Sequence, residues 1–278
     1  MGRQGGGLVR STLAAKLEVA ATQIGDLDAA LVAYSGGVDS SLVLEIATAV
    51  LDRGCQGVIA SSPSLPRSEL EAALHLAGQR GWNVTVLPTE EVERADYAAN
   101  TAQRCFFCKS ELFDRLAEVA AARGATILDG FNRDDRADWR PGRRAAAEHG
   151  VLSPLDAADI GKEDVREAAR ELGLPNWDKP AAACLSSRIP YGVPVTIETL
   201  GRVESAEQVL RDEGFRQLRV RDAHAAATIE VEPDQLERLR QPRRLARIER
   251  RLRQLGYISV AVDELGYRPG SLNQPFKR

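Results

Sequence analysis

Cysteine is scarce. Cys55, Cys105, Cys108 and Cys184 are the only four in 278 residues, too few to staple a chain of this length, which excludes a disulfide scaffold. They are expected to be thiols in a reducing compartment, open to metal, redox or sulfur chemistry. Long apolar runs are also missing. None approaches the roughly 18 residues of a membrane span, and Met1-Gly2-Arg3-Gln4-Gly5-Gly6-Gly7 lacks the apolar core of a signal peptide. The expectation is a cytoplasmic protein with a disordered tail over 1–10. Charge of one sign is lacking too, since a net charge of −3 gives a weak field and no general case for a nucleic-acid or membrane partner. The three histidines offer no paired metal spacing.

What is present centres on Ser35-Gly36-Gly37-Val38-Asp39-Ser40-Ser41. An apolar run over 29–34 reads as a buried strand, breaks at the Ser-Gly-Gly turn and resumes as a helix with Leu42, Val43, Ile46, Ala49 and Val50 at helical spacing. Glycines let backbone approach an anion, and the N–H groups, serine hydroxyls and helix dipole favour phosphate. The loop lacks the Lys-Ser/Thr end of a Walker A pattern, so no lysine follows it to hold terminal phosphates. It carries Asp39 in the first helical turn instead, and an acid beside phosphates points to a bridging Mg²⁺. A Gly-Gly turn with serine and aspartate as plain caps is the bland alternative.

Strand and helix patterns alternate around this loop. Helices are expected over 11–24, 67–79, 108–122 and 162–172, and strands over 57–61, 83–87, 125–128 and 151–154. Repeated β-α units argue for a parallel sheet with helices on both faces, whose ligands sit beyond the carboxyl ends of the strands. The Ser35 loop, Ser61, Ser62, Pro88 and Asp129-Gly130 are thus expected on one rim. Four prolines in 175–194 mark a linker. Beyond it, Ile197, Leu200, Val203 and Leu210 stripe a helix, 217–221 and 228–232 alternate as half-buried strands, a second helix carries Leu245, Ile248, Leu252 and Leu255, and 257–262 forms a last strand. The fold class is α/β: a Rossmann-like parallel sheet over 11–190, followed by a smaller α+β domain with an antiparallel sheet over 191–278.

Cys105 and Cys108, three apart, share one helix face and can meet one metal or each other, although a lone CxxC is a weak signal and lacks the ligands for tetrahedral zinc. Cys184, flanked by Ser186, Ser187 and Arg188, has neighbours that lower a thiol pKa and is a candidate nucleophile or sulfur source. Cys105, Cys108 and Cys184 together suit three irons of a [4Fe-4S] cluster with the fourth left open. Cys55 is expected to be structural. Arg219 and Arg221 share one strand face and, with Arg188, can clamp a phosphate on a second substrate. Glu230 on the adjacent strand is placed to orient them, to bind a metal, or to form a cross-strand salt bridge. Asp129 and Asp134 are candidate Mg²⁺ or substrate contacts. The arginines over 238–253 fall on the solvent side of an amphipathic helix.

The Ser35 loop resembles the SGGxDS signature of the PP-loop ATP pyrophosphatases, which cut ATP between the α and β phosphates and leave AMP on the substrate. In order, that loop, Arg104-Cys-Phe-Phe-Cys-Lys, Asp129-Gly-Phe-Asn-Arg-Asp-Asp, Trp139-Arg-Pro-Gly, Asn176-Trp-Asp-Lys-Pro, Cys184-Leu-Ser-Ser-Arg-Ile-Pro-Tyr-Gly and Arg219-Val-Arg are similar to the LarE family, over about 29–270. The resemblance implies an ATP-dependent sulfur transferase of nickel-pincer (lactate racemase) cofactor synthesis. ATP and Mg²⁺ would serve to adenylate a carboxylate of pyridinium-3,5-biscarboxylic acid mononucleotide, and sulfur would then replace AMP to give a thiocarboxylate. Ser35, Gly36, Gly37, Asp39, Ser40, Ser41, Ser61, Asp129, Ser187, Arg188, Arg219 and Arg221 are the candidate binding residues, the three arginines for a phosphate of the second substrate. Cys184 and Asp39 are the catalytic candidates, and Glu230 is a metal candidate. The partner is a small molecule, with neither nucleic acid nor membrane, in a homo-oligomer.

Family members supply sulfur in two ways. In one, the cysteine matching Cys184 surrenders its own sulfur and becomes dehydroalanine. In the other, cysteines matching Cys105, Cys108 and Cys184 bind a [4Fe-4S] cluster that passes on a non-core sulfide. This sequence carries all three, which favours the cluster route. Competing readings are a PP-loop tRNA thiolase, an amidating ligase related to NAD synthetase, and a non-catalytic adenine-nucleotide-binding module.

Overall fold

The computed structural model describes residues 5–137 and 141–268; Trp139 and Arg140 of the Trp-Arg-Pro-Gly run lie outside the described residues. In chain order these residues form α1 (Gly5–Gly25), β1 (Ala30–Ala33), α2 (Val38–Leu51), β2 (Cys55–Ser61), α3 (Arg67–Arg80), β3 (Val84–Pro88), α4 (Ala95–Ala98), α5 (Arg104–Arg123), β4 (Thr126–Leu128), α6 (Gly142–Glu148), α7 (Pro154–Ala157) and α8 (Lys162–Glu171). After 182 come α9 (Ile197–Asp212), β5 (Leu218–Ala223), β6 (Ala226–Val231), α10 (Leu236–Leu239), α11 (Pro242–Gln254) and β7 (Ser259–Val262). The chain divides into two compact units: one of 1–62, 67–90 and 105–182, the other of 63–66, 91–104 and 183–278.

The larger unit is built on a parallel sheet of order β3-β2-β1-β4. Alternate residues of a strand face opposite sides, and both sides are covered. Leu31, Val58 and Ile127 pack with Leu112, Phe113 and Leu116 of α5 and with Ala145 and Ala146 of α6. On the other face, Gly57 lies so close under Leu44 of α2 that a Cβ there would stand 2.9 Å from its Cδ2. Because β1, β2, β3 and β4 run in one direction, the Ser35 loop, Ser61, Pro88 and Asp129 all leave from one edge of the sheet. The expected strand over 151–154 shrinks to a single parallel bridge, Leu128 to Leu152. Pro154 has no N–H for a ladder and opens α7 instead.

The smaller unit packs α9 and α11 on one face of a three-stranded sheet of order β5-β6-β7. Leu218, Val220, Ile229 and Val231 meet Val209, Leu210, Ile248 and Leu252 in its core. Two expectations change here. Ile197 is exposed, at the first position of α9, and only Leu200, Val203 and Leu210 of the expected stripe are buried. The sheet is mixed rather than antiparallel, since β5 and β6 form a hairpin but β7 pairs parallel to β6. The intervening α11 carries the chain back before β7 begins, as a parallel pair requires.

His224 and Ala225 at the hairpin tip have φ of 53° and 63°. Two consecutive left-handed residues make the turn that matches strand twist, at a steric cost for any side chain. Ala225→Gly is therefore expected to raise the free energy of unfolding by up to about 1 kcal/mol, seen as a higher Tm with an unchanged far-ultraviolet circular dichroism spectrum.

Candidate functional site

In the larger unit, the site grows from the break between β1 and α2. Gly36 takes a left-handed φ of 71°, and a Cβ on it would stand 2.6 Å from that of Ala73. Only glycine makes that turn. The Ser35 N–H donates to Ser40 Oγ (3.1 Å), the Ser40 hydroxyl donates to the Gly37 carbonyl (3.1 Å), and the Gly37 N–H donates to Ser35 Oγ (3.3 Å). Two serines thus lace the loop across its own mouth. The first helical bond comes from the Ser41 N–H to the Gly37 carbonyl (3.0 Å), which leaves the N–H groups of Val38, Asp39 and Ser40 ahead of the ladder, as at any helix start.

The turn after β4 closes one side. A Cβ on Gly130 would stand 2.7 Å from Ser40 N and 3.0 Å from the Asp39 carbonyl carbon, so Asp129-Gly130 lies backbone to backbone against the first turn of α2. Asn132, fully buried, donates from Nδ2 to Asp39 Oδ1 (2.8 Å). Asp129 accepts from the Ser153 hydroxyl (2.7 Å) and the Phe131 N–H (3.1 Å). Burial raises the pKa of Asp39 above the ordinary carboxyl value, opposed by the Asn132 hydrogen bond and reinforced by the charge of Asp135. Burial raises Asp129 as well, against the hydrogen bond from Ser153. Asp135 pairs with Lys162 (3.2 Å). Among the described residues no three His, Cys, Asp or Glu side chains gather to hold a metal. Mg²⁺ on a nucleotide asks for less, one or two carboxylates with phosphate oxygens and water, and two desolvated carboxylates fit that demand. Asp134, by contrast, is tied to Arg133 (3.2 Å) and to the Lys162 N–H (2.8 Å).

The far side of the loop is held from a segment that reads as linker. Asn176 Nδ2 donates to Ser41 Oγ (2.9 Å) and the Gly36 carbonyl (3.3 Å), and Lys179 Nζ donates to the same carbonyl (3.3 Å). Cys105 and Cys108 belong to this unit, on the first turns of α5, Cys105 exposed and Cys108 half-buried. Cys55 is buried, and burial pushes its thiol pKa up, against a hydrogen bond from Thr48.

In the smaller unit, Cys184 is half-buried at the start of a short turn over Leu185–Arg188. The Arg188 guanidinium donates to the carbonyls of Ala183 (2.6 Å) and Cys184 (2.8 Å), and the Ser187 hydroxyl donates to the latter (2.7 Å). Behind it, Glu207 of α9 takes Arg188 in a two-point grip (2.8 and 3.1 Å) with both side chains buried. Arg221 makes the same kind of fork with Glu230 (2.9 Å at both oxygens) and donates to the Ser187 carbonyl (2.6 Å). Arg188 and Arg221 therefore hold the backbone around Cys184. Arg219 differs: its Nη1 donates to the Leu218 carbonyl (2.7 Å), its guanidinium lies 5.1 Å over the Tyr267 ring, and burial followed by the charge of Arg188 lowers its pKa.

No protein-family model matches the chain. Individual relatives do. It is 37% identical over 268 residues, 95% of each chain, to the pyridinium-3,5-bisthiocarboxylic acid mononucleotide synthase of Lactiplantibacillus plantarum. The chain belongs to the LarE family. It is also 44% identical over 94% of its length, and 98% of the relative's, to an uncharacterized protein of Synechocystis, and 31% identical over 73%, and 78% of the relative's, to one of Methanocaldococcus jannaschii. Four residues of this LarE-family chain to which its sequence assigns no role, Asn132, Asn176, Lys179 and Glu207, brace the Ser35 loop and the Cys184 turn. Glu207 had a signal, as an acid inside the apolar stripe of Leu200, Val203, Ala206 and Leu210.

Two outcomes follow from these contacts. Glu207→Ala leaves Arg188 buried without its carboxylate and is expected to cost about 3–5 kcal/mol, measured by urea unfolding. A carboxyl whose folded pKa is raised stabilises the fold below its unfolded value of 3.8, and that contribution is lost as pH rises through the folded value. Asp39→Asn should match or exceed the wild-type Tm at neutral pH, with the gap closing as pH falls through the raised pKa, as thermal unfolding across a pH series measures.

Proposed function

We propose that this chain is an ATP-dependent sulfur transferase that adenylates a carboxylate of pyridinium-3,5-biscarboxylic acid mononucleotide and converts it to a thiocarboxylate. The observation that carries this reading is the full-length similarity to a synthase whose name states that product. The Ser35–Ser41 loop, read as a PP-loop, supports the first half-reaction. Its N–H groups and hydroxyls suit ATP phosphates, and Asp39 with Asp129 suits Mg²⁺. The substrate carboxylate oxygen bonds to the α-phosphorus, the bond to the α,β-bridging oxygen breaks, and pyrophosphate leaves with the electron pair. AMP then turns a poor leaving oxygen into a good one.

Cys184 belongs to the second half-reaction. Acting alone, its thiolate attacks the acyl carbon and expels AMP. Loss of the Cys184 α-proton then breaks its Cβ–S bond, leaving the thiocarboxylate and dehydroalanine. The alternative source is a sulfide supplied by a [4Fe-4S] cluster, the route that the sequence favours by carrying Cys105, Cys108 and Cys184. Arg219, which among the described residues makes no carboxylate fork of the kind that Arg188 and Arg221 make, is the contact for the substrate phosphate.

The test is anaerobic. The purified chain is assayed for iron and visible absorbance, then incubated with ATP, Mg²⁺ and the dicarboxylate mononucleotide while pyrophosphate, AMP and product mass are followed. Pyrophosphate release with exchange of oxygen for sulfur is expected, with iron present on the cluster route. Intact Cys184 after turnover supports the cluster, whereas Cys184 lighter by one H₂S assigns the sacrificial route. Ammonia-dependent amidation, copurifying tRNA with thiolated nucleosides, or no pyrophosphate at all would overturn the reading.

A further inference from the structure

The loop is followed by no lysine, yet an ammonium reaches it from a distant segment. Lys179 Nζ donates to the Gly36 carbonyl (3.3 Å) and pairs with Glu69 Oε2 (2.7 Å), with the two side chains only 24% and 27% exposed. Its tether is anchored to the loop it touches. The Lys179 N–H donates to the Asn176 carbonyl (3.0 Å), and Asn176 Nδ2 bridges Ser41 Oγ and the Gly36 carbonyl. Asn176 Oδ1 is buried and has no hydrogen-bond partner among the described residues. An ammonium carries three donors. Among the described residues the carbonyl and the carboxylate occupy two, which leaves the third for a further acceptor such as a phosphate oxygen.

We propose that Lys179 is the phosphate-binding lysine of this site, leaving Glu69 for the β and γ phosphates of ATP and holding pyrophosphate as it departs. The proposal rests on the ATP reading above. In the adenylation step the breaking bond from α-phosphorus to bridging oxygen places new negative charge on pyrophosphate. A fixed ammonium stabilises that charge without any proton transfer. Glu69 is then the resident anion that keeps the ammonium parked at the loop between nucleotides, and Asn176 is the positioning residue that fixes its approach.

The experiment measures binding of AMP, inorganic pyrophosphate and ATP, each with Mg²⁺, to the full chain by calorimetry. Lys179→Met is expected to weaken pyrophosphate and ATP by about 10- to 100-fold and to leave AMP, which has no β or γ phosphate, unchanged. Lys179→Arg should recover part of the loss. Glu69→Gln, which removes the competing anion, should tighten pyrophosphate. Equal pyrophosphate affinity in wild type and Lys179→Met, or an equal loss of AMP, overturns the proposal. Should Lys179→Met fail to fold, Glu69→Gln decides, and an unaltered pyrophosphate affinity there overturns it. Wild type that binds neither nucleotide nor pyrophosphate removes the ATP reading itself, an outcome distinct from a variant that merely matches wild type.

Discussion

No side chain fits between Gly130 and the first turn of α2. With a would-be Cβ only 2.7 Å from Ser40 N, the turn after β4 and the turn after β1 are held at backbone contact. Neighbouring strands of one parallel sheet emerge side by side, so their exit turns compete for the same space. Glycine resolves that competition at Gly130, and again at Gly36, where Ala73 of α3 crowds the loop. Asn132 reaches Asp39 because Gly130 brings the two backbones together. The phosphate-type mouth, the buried acid and its amide partner are thus one consequence of two missing side chains.

The charges of the chain sort into those already balanced and those left wanting. Arg188 with Glu207, Arg202 with Asp222, and Arg221 with Glu230 are close pairs between partly or fully buried groups. Such pairs are costly to desolvate and costlier to break, which makes them rivets rather than sites. Asp39 and Asp129 in one unit, and Arg219 in the other, are displaced toward their neutral forms by burial. A group that folding pushes toward neutrality is one for which a ligand of opposite charge is worth most, which is the physical ground for taking these three as candidate site residues.

The sequence made the sheet legible because Leu31, Val58 and Ile127 sit in apolar runs that only a buried strand explains, and the Ser35 loop legible because strand, glycine pair and helix start coincide. Other features depend on contacts between residues far apart in the chain. Lys179 reads as part of a proline-rich linker, and nothing local says that it ends on the carbonyl of Gly36. The parallel pairing of β7 was hidden for a similar reason: alternation reveals a strand but not its direction. Glu207 was readable in principle, since an acid on the core stripe of α9 must have a buried partner, but the identity of that partner, Arg188, belongs to tertiary structure.

The arginines show how such a contact changes an interpretation. As a sequence, Arg188, Arg219 and Arg221 look like three equivalent forks for one phosphate. In the structure two of the forks are filled by Glu207 and Glu230, and their remaining donors grip the carbonyls of Ala183, Cys184 and Ser187. A guanidinium so occupied offers little to a ligand, because moving it would strand a buried carboxylate and release several backbone acceptors at once. What it offers is rigidity of the segment that carries Cys184. On the proposed chemistry that rigidity has a purpose, since a thiol that must meet one short-lived activated carbon gains more from fixed position than from added charge.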